Sequence, residues 1–307
     1  PPEKITRAEV QLPARGELPG LFGWPQRART RKGQTLLDVA RAAGLGFQEL
    51  QDANPTLDPW LPQPGAEIAV PTTWILPRSG YRGIVINIPE MRLYLFPPDT
   101  RPGDAVVVRT FAIGIGTEKQ PSPVGAFTVR SKDENPTWYP PVSIQKTMEV
   151  PRAVVPPGPD NPLGDYRIRL SRGLYAIHGT NTPWSIGRLT THGCIRLYPE
   201  DIEELYVLVE PKMAGELVYQ PVKIGAFGET IYAEIHADVY GKIRDLEGHA
   251  LAEARRVGVL GRVDREKLRA AARERRGVPV DVTRRTAPGV TLSRGESGPY
   301  LRANAGQ

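Results

Sequence analysis

A single cysteine in 307 residues rules out an intramolecular disulfide. Packing, metal ligation and nucleophilic chemistry remain as uses for the thiol. Histidine is nearly as scarce, with four in the chain. No apolar run approaches the roughly 18–20 residues that a helix needs to cross a bilayer. The first residue is Pro1 rather than Met, so an export signal is expected to be missing from the sequence in hand. Scarce cysteine suits the cytosol and equally an exported protein that avoids mispairing. The formal charge of +6 would suit a polyanionic partner such as nucleic acid, anionic lipid or an acidic wall polymer. The arginines, however, concentrate between Arg255 and Arg276 among interspersed acids, as on a solvated helix face. No basic–aromatic interleaving accompanies them, so a nucleic-acid partner is not expected.

What is abundant is proline (32) and glycine (31), a balance that favours short strands joined by turns over long helices. Residues 1–28 read as an N-terminal segment. Residues 29–72 read as a small module. Thr35 is a fair N-cap for a helix from Leu36 that Gly44 can close, and Phe47–Ala53 fits a second helix stopped by Asn54-Pro55. Strand Glu67–Val70 follows, ended by Pro71, and a propensity-poor strand is expected near Arg29–Arg31. The order is βααβ. From about 80 to 220 the pattern is of strands: Gly83–Asn87, Arg92–Phe96 with alternating faces, Ala105–Val108, Ala126–Val129, Tyr166–Leu170 and Tyr175–His178. Pro199–Tyr206 reads as a helix, with proline at its first position and acids in its first turn. The proline-rich stretch from Asn135 to Pro162 is expected to be an ordered flap or connector beside the sheet. Residues 221–307 are a C-terminal extension of unassigned role. One amphipathic helix is expected there, over Leu251–Arg276, before a Gly/Arg-rich tail, and His236 and His249 read as exposed and silent. The fold class is α+β overall, a mainly β domain beside a small βααβ domain.

Two histidines lie near the lone thiol, in Ile177-His178-Gly179-Thr180 and Thr191-His192-Gly193-Cys194-Ile195-Arg196. A thiolate is a strong nucleophile, and a neighbouring imidazole can generate it near neutral pH. Cys194 is therefore the candidate nucleophile. Arg196, two residues on, would share its face on a strand and could meet a substrate carboxylate through a bidentate guanidinium.

His178-Gly179-Thr180-Asn181, a spacer, and Thr191-His192-Gly193-Cys194-Ile195-Arg196-Leu197 together resemble the active-site signature of YkuD-type L,D-transpeptidases. Ile113-Gly114-Ile115-Gly116, Pro123-Val124-Gly125 and Pro136-Thr137-Trp138-Tyr139-Pro140 resemble segments of the family's ErfK/YbiS branch. Residues 29–71 resemble a LysM peptidoglycan-binding module through Gly33-Gln34-Thr35-Leu36, Asn54-Pro55 and Ile68-Ala69-Val70-Pro71, with Gln34 where such modules usually carry Asp. The resemblance implies a YkuD-like β-sandwich that acts on peptidoglycan stem tetrapeptides. Cys194 would be the nucleophile and His178 the general base, oriented by the carbonyl of Gly179. His192 would stand at the oxyanion with the amides of Gly193 and Cys194. Arg196, Gly193, Thr191 and Trp184 would line the substrate site.

The resemblance further implies release of D-alanine, then 3–3 cross-links or attachment of proteins to the wall, with a lipoprotein or outer-membrane protein as one candidate acceptor. Glycan would bind the LysM unit, acting as a tether. No metal or organic cofactor is required, and the periplasm of a Gram-negative-type bacterium is the expected location. Two other classes stay open on the residues alone. One is a zinc-dependent peptidoglycan hydrolase with His178, His192 and Cys194 as ligands; the other is a non-catalytic wall-binding protein.

Overall fold

The computed structural model describes residues 2–146 and 151–285. Strand β1 (Arg7–Gln11) is followed by β2 (Leu21–Gly23) and β3 (Gln26–Arg29), then helices α1 (Leu36–Ala43) and α2 (Phe47–Ala53) and strands β4 (Glu67–Val70) and β5 (Thr73–Ile75). The strand-rich centre comprises β6 (Gly83–Asn87), β7 (Arg92–Phe96), β8 (Ala105–Ala112), β9 (Ile115–Gly116) and β10 (Gly125–Glu134). After the short α3 (Val142–Gln145) come β11 (Tyr166–Leu170), β12 (Ala176–His178), β13 (Leu189–Thr191), β14 (Ile195–Arg196), α4 (Pro199–Leu208) and β15 (Ala214–Val218). The chain continues through β16 (Val222–Phe227), β17 (Thr230–Ile235), α5 (Leu246–Arg256), α6 (Arg265–Glu274) and β18 (Val280–Asp281).

Nine strands join in the order β1-β8-β7-β6-β15-β10-β11-β12-β14. Strand β10 is the hinge of this arrangement. Its first half pairs with β15 and its second with β11, and the register shifts between Val129 and Ser131. A bulge of this kind bends a strand and sharpens its twist, so the sheet wraps around one core. That core takes Ile84, Ile86, Leu93 and Leu95 from one limb, Ile168, Ile177 and Ile195 from the other, and Ile202 and Leu205 from α4.

The small unit forms as its residues dictate. Thr35 and Asp38 make a reciprocal capping box at α1, and Gly44 closes the helix in the left-handed region at φ 69°, a conformation that suits a residue without Cβ. The first strand is Gln26–Arg29 rather than Arg29–Arg31. Its place is set by antiparallel pairing with Glu67–Val70, not by its own propensity.

A tether joined only by a linker would leave one face of the catalytic sheet in water. Instead Leu36, Val39, Leu50, Ile68, Val70 and Trp74 share a core with Val85, Tyr94, Phe96 and Val108 of β6–β8. The alternation of Arg92–Phe96 is present, but both faces are buried. The N-terminal segment is integral as well: β1 adds to the edge of β8, and Ile5, Val10, Leu12 and Phe22 enter the same core.

Charge is buried in this interface and fully engaged. Arg92 donates through Nε and Nη2 to the two oxygens of Glu49, at 2.9 and 2.7 Å, with side-chain exposures of 0% and 6%. Trp74 Nε1 and the Gly46 amide also donate to Glu49, at 3.2 and 2.7 Å, and the guanidinium carbon lies 4.2 Å from the Trp74 ring centroid.

The C-terminal extension is a third packed unit. The β16–β17 hairpin, β18, α5 and α6 enclose Ile224, Ile231, Ala250, Ala254 and Leu268. Two helices replace the single one expected: Gly258 turns the chain at φ 77°, and Asp264 restarts it by accepting from the amides of Glu266 and Lys267. His236 is 5% exposed, not silent at the surface. Its Nε2 lies 2.8 Å from Glu234 Oε1, and Lys223 Nζ lies 2.7 Å from both Glu90 and Glu234. This buried network joins the extension to the catalytic sheet. His249 is half-buried on α5. Most of the tail lies outside the described residues, among which no helix is long and apolar enough to cross a membrane.

Removing one partner of a buried ion pair leaves the other charge uncompensated, at a cost of about 3–5 kcal/mol. Glu49→Ala is expected to lower unfolding stability by about that amount in denaturant titration. A loss below about 1 kcal/mol would show that Arg92 finds another partner or water.

Candidate active site

Strand register assembles the site. Ile168, Ile177 and Ile195 stand level across β11, β12 and β14 and point into the core. Their neighbours along each strand must therefore point the other way. One row across this opposite face is Asp133, Arg167, His178 and Arg196. The next is Ser131, Arg169 and Ala176, with Cys194 level with Ala176 by the parallel register of β14. Cys194 and His178 are thus diagonal neighbours on one face, their Cα atoms on the order of 8 Å apart from strand spacing and rise. The twelve residues between His178 and Thr191 leave and return to the sheet to make this pairing.

His178 is 4% exposed. Its Nδ1 lies 2.7 Å from the Gly179 carbonyl oxygen. A carbonyl only accepts, so Nδ1 carries the proton and Nε2 holds the lone pair. Burial, then the nearby Arg196 charge, pushes the imidazole pKa down to about 3 against the pull of the Gly179 carbonyl. The ring is neutral at physiological pH. The partly buried Cys194 thiol is shifted the other way, upward: burial outweighs a hydrogen bond from the Ala176 backbone and the charges of Arg196 and Arg167. A neutral thiol and a neutral imidazole thus share this sheet face at rest.

The loop before the thiol is tied to itself. Thr191 is 3% exposed; its Oγ1 donates to the Cys194 carbonyl at 2.6 Å and accepts from the Gly193 amide at 3.1 Å. Thr191 is a loop clasp and not, as expected, a wall of the substrate site. The same bond engages the Gly193 amide, whereas the Cys194 amide takes no backbone or side-chain acceptor among the described residues. Gly193 sits at φ 100°, where a Cβ would lie 2.5 Å from Tyr175 Cε1 and 3.2 Å from the Pro121 oxygen. Glycine is required there by Tyr175 as well as by backbone conformation.

A cavity of about 660 Å³ opens over Cys194, His192, Tyr175 and Ala176. The proline-rich stretch from Asn135 to Pro162 supplies Trp138, Tyr139 and Ile144 to its wall, as expected of a flap; its residues 147–150 lie outside the described residues. His192 is exposed and faces the cavity. Arg196 lies beside His178, its Nε buried without a partner among the described residues. Trp184 is not brought to this cavity. It is 59% exposed and lines a separate groove with Thr35, Asp38 and Arg41 of the small unit.

The zinc arrangement is not assembled either. Among the described residues only Glu90, Glu234 and His236 bring three ligand atoms within 4.8 Å of one another, and Lys223 already bridges the two carboxylates. Sequence reasoning passed over Tyr175, Arg167 and Arg169. The alternation of Arg167 and Arg169 with Ile168 and Leu170 could have shown the two arginines sharing the face opposite the core.

A description of the YkuD L,D-transpeptidase catalytic domain matches residues 81–224. Among similar proteins, the Escherichia coli K12 "Probable L,D-transpeptidase YcfS" is 35% identical over 85% of this chain and 84% of its own length. The "Probable L,D-transpeptidase ErfK/SrfK" of the same organism is 36% identical over 81% of this chain and 83% of its own. The "Probable L,D-transpeptidase YbiS" is 36% identical over 77% and 79%. With the thiol, the imidazole and their shared sheet face in place, the chain belongs to the L,D-transpeptidase family.

Proposed function

We propose that Cys194 is the nucleophile of an acyl transfer on peptidoglycan stem tetrapeptides. The observation that carries this is the tautomer of His178, fixed by the Gly179 carbonyl on the sheet face that also holds Cys194. Nε2 takes the thiol proton as sulfur adds to the carbonyl of the diamino acid at the third stem position. The resulting oxyanion is met by the Cys194 amide and by His192. Collapse breaks the amide bond, the proton passes from Nε2 to the departing D-alanine amine, and a thioester remains. An acceptor amine then attacks the thioester carbonyl and regenerates the thiol. A second stem peptide as acceptor gives a 3–3 cross-link, and a protein amine gives wall attachment. Arg196 offers its guanidinium to the substrate carboxylate.

The βααβ unit supports a LysM reading by its element order and capped α1, with glycan as its ligand. Its shared core with the catalytic sheet makes it part of the enzyme's body and not a loose tether. The relatives' bacterial source supports a cell-envelope, periplasmic location.

Intact-protein mass after mixing with tetrapeptide muropeptide should show an acyl adduct on Cys194 with loss of D-alanine, absent from Cys194→Ser. An adduct on folded Cys194→Ser would refute the nucleophile assignment. Because the His178 pKa is lowered to about 3, its basic form persists as pH falls and is lost only toward that value. The acylation rate should therefore be level from about pH 5 to 8; an acid limb at pH 6–7 would contradict a buried neutral ring. Gly193→Ala should slow acylation about 10²-fold, since displacements near 1 Å cost that much, while the protein still folds. A change under threefold would mean the loop tolerates a Cβ against Tyr175.

A further inference from the structure

The cavity over Cys194 is cationic on one side. Arg130, Arg167 and Arg169 line it, and no carboxylate does among the described residues. Arg167 and Arg169 lie one residue apart on the cavity face of β11, and each donates its Nε to the same oxygen of Asp133, at 2.9 and 3.0 Å. One acid thus orients two guanidiniums and cancels only one of their charges. Both residues line the cavity. Arg130 occupies the bulge of β10, between Val129, paired with Leu170, and Ser131, paired with Arg169. It has no ion pair among the described residues. A bulge re-aims the extra side chain, and here it sets a third arginine beside the other two. Sheet spacing puts Arg169 two strands from Cys194, roughly 10 Å.

We propose that Arg130 and Arg169, with Arg167 behind them, form a specificity clamp for a second carboxylate on the acyl-donor stem peptide, remote from the scissile amide. This rests on the stem-peptide reading above and names what that site selects. Planar guanidiniums held by a common acid are preorganised for bidentate carboxylate recognition. The arginine side chain covers part of that strand-to-strand distance, so a carboxylate one residue's length, roughly 3.5 Å, from the reacting carbonyl can meet it. Two groups in a stem tetrapeptide meet this description: the carboxylate at the far end of the diamino acid side chain, and the α-carboxylate of the preceding γ-linked glutamate. Amidation of either removes the charge and keeps the shape.

The test is a chemical double-mutant cycle on the full-length protein, read as the single-turnover rate of acyl-enzyme formation by mass without acceptor. Donors are the native tetrapeptide and two versions amidated at one or the other carboxylate. One of the amidations should slow the parent about tenfold or more, the size expected for a lost charge-assisted contact, and that one identifies the carboxylate. The same amidation should cost Arg130→Gln less than about threefold, and Arg130→Lys should recover part of the selectivity. Arg169→Gln gives a second reading should one variant be poorly folded. Equal rates from all three donors in the parent would overturn the clamp while leaving the acyl-enzyme intact. So would substitution and amidation effects that simply multiply. Failure of the parent to acylate with any donor would instead overturn the stem-peptide reading itself.

Discussion

The parallel pairing of β12 with β14 is the constraint on which the active site depends. Ile177 and Ile195 are drawn together into the core, and a strand's period of two then forces His178 and Cys194 onto the opposite face. Burial there does chemical work twice. It holds the imidazole neutral and keeps the thiol protonated at rest. The Gly179 carbonyl adds the choice of tautomer at no cost in buried charge, since the backbone group is neutral where a carboxylate would need its own partner.

Around this site the protein is built as one body from three units. The βααβ unit and the N-terminal strand cover one face of the catalytic sheet through a shared core and the Arg92–Glu49 pair. The C-terminal hairpin reaches in through Lys223, which bridges Glu90 and Glu234. Contacts also run from the βααβ unit to the segment between His178 and Cys194. The amides of Phe47 and Gln48, at the start of α2, donate to the Ile186 and Gly187 carbonyls at 3.1 and 3.3 Å. The guanidinium of Arg188 lies 3.9 Å from the Phe47 ring centroid. A unit expected to act by holding the enzyme near its polymer is also physically continuous with the loop that carries the thiol.

Much of the local structure was legible in the sequence because short-range signals set it. Thr35, Gly44 and Asn54-Pro55 delimit α1 and α2 as capping rules require, and the apolar periodicity of Gly83–Asn87 and Tyr166–Leu170 gives their strands directly. The motif spacing is consistent with the shared sheet face of Cys194 and His178. What could not be read was set by long-range pairing. The burial of both faces of β7, the insertion of β1 at the sheet edge and the Lys223 bridge between Glu90 and Glu234 depend on residues far apart in sequence. His236 was misread for that reason: its partner Glu234 is two residues away on β17, but the network that buries both also takes in the distant Glu90 and Lys223. Thr191 and Trp184 do not line the cavity over Cys194, since motif proximity says nothing about which way a loop turns.

The most direct test of the central claim is the protonation state of His178 itself, followed by ¹⁵N NMR of the imidazole in full-length protein across pH. The structure predicts a neutral ring protonated at Nδ1, with shifts unchanged from pH 8 down to about pH 5. A ring that is protonated at Nε2, or that titrates with a midpoint between pH 6 and 7, would contradict it.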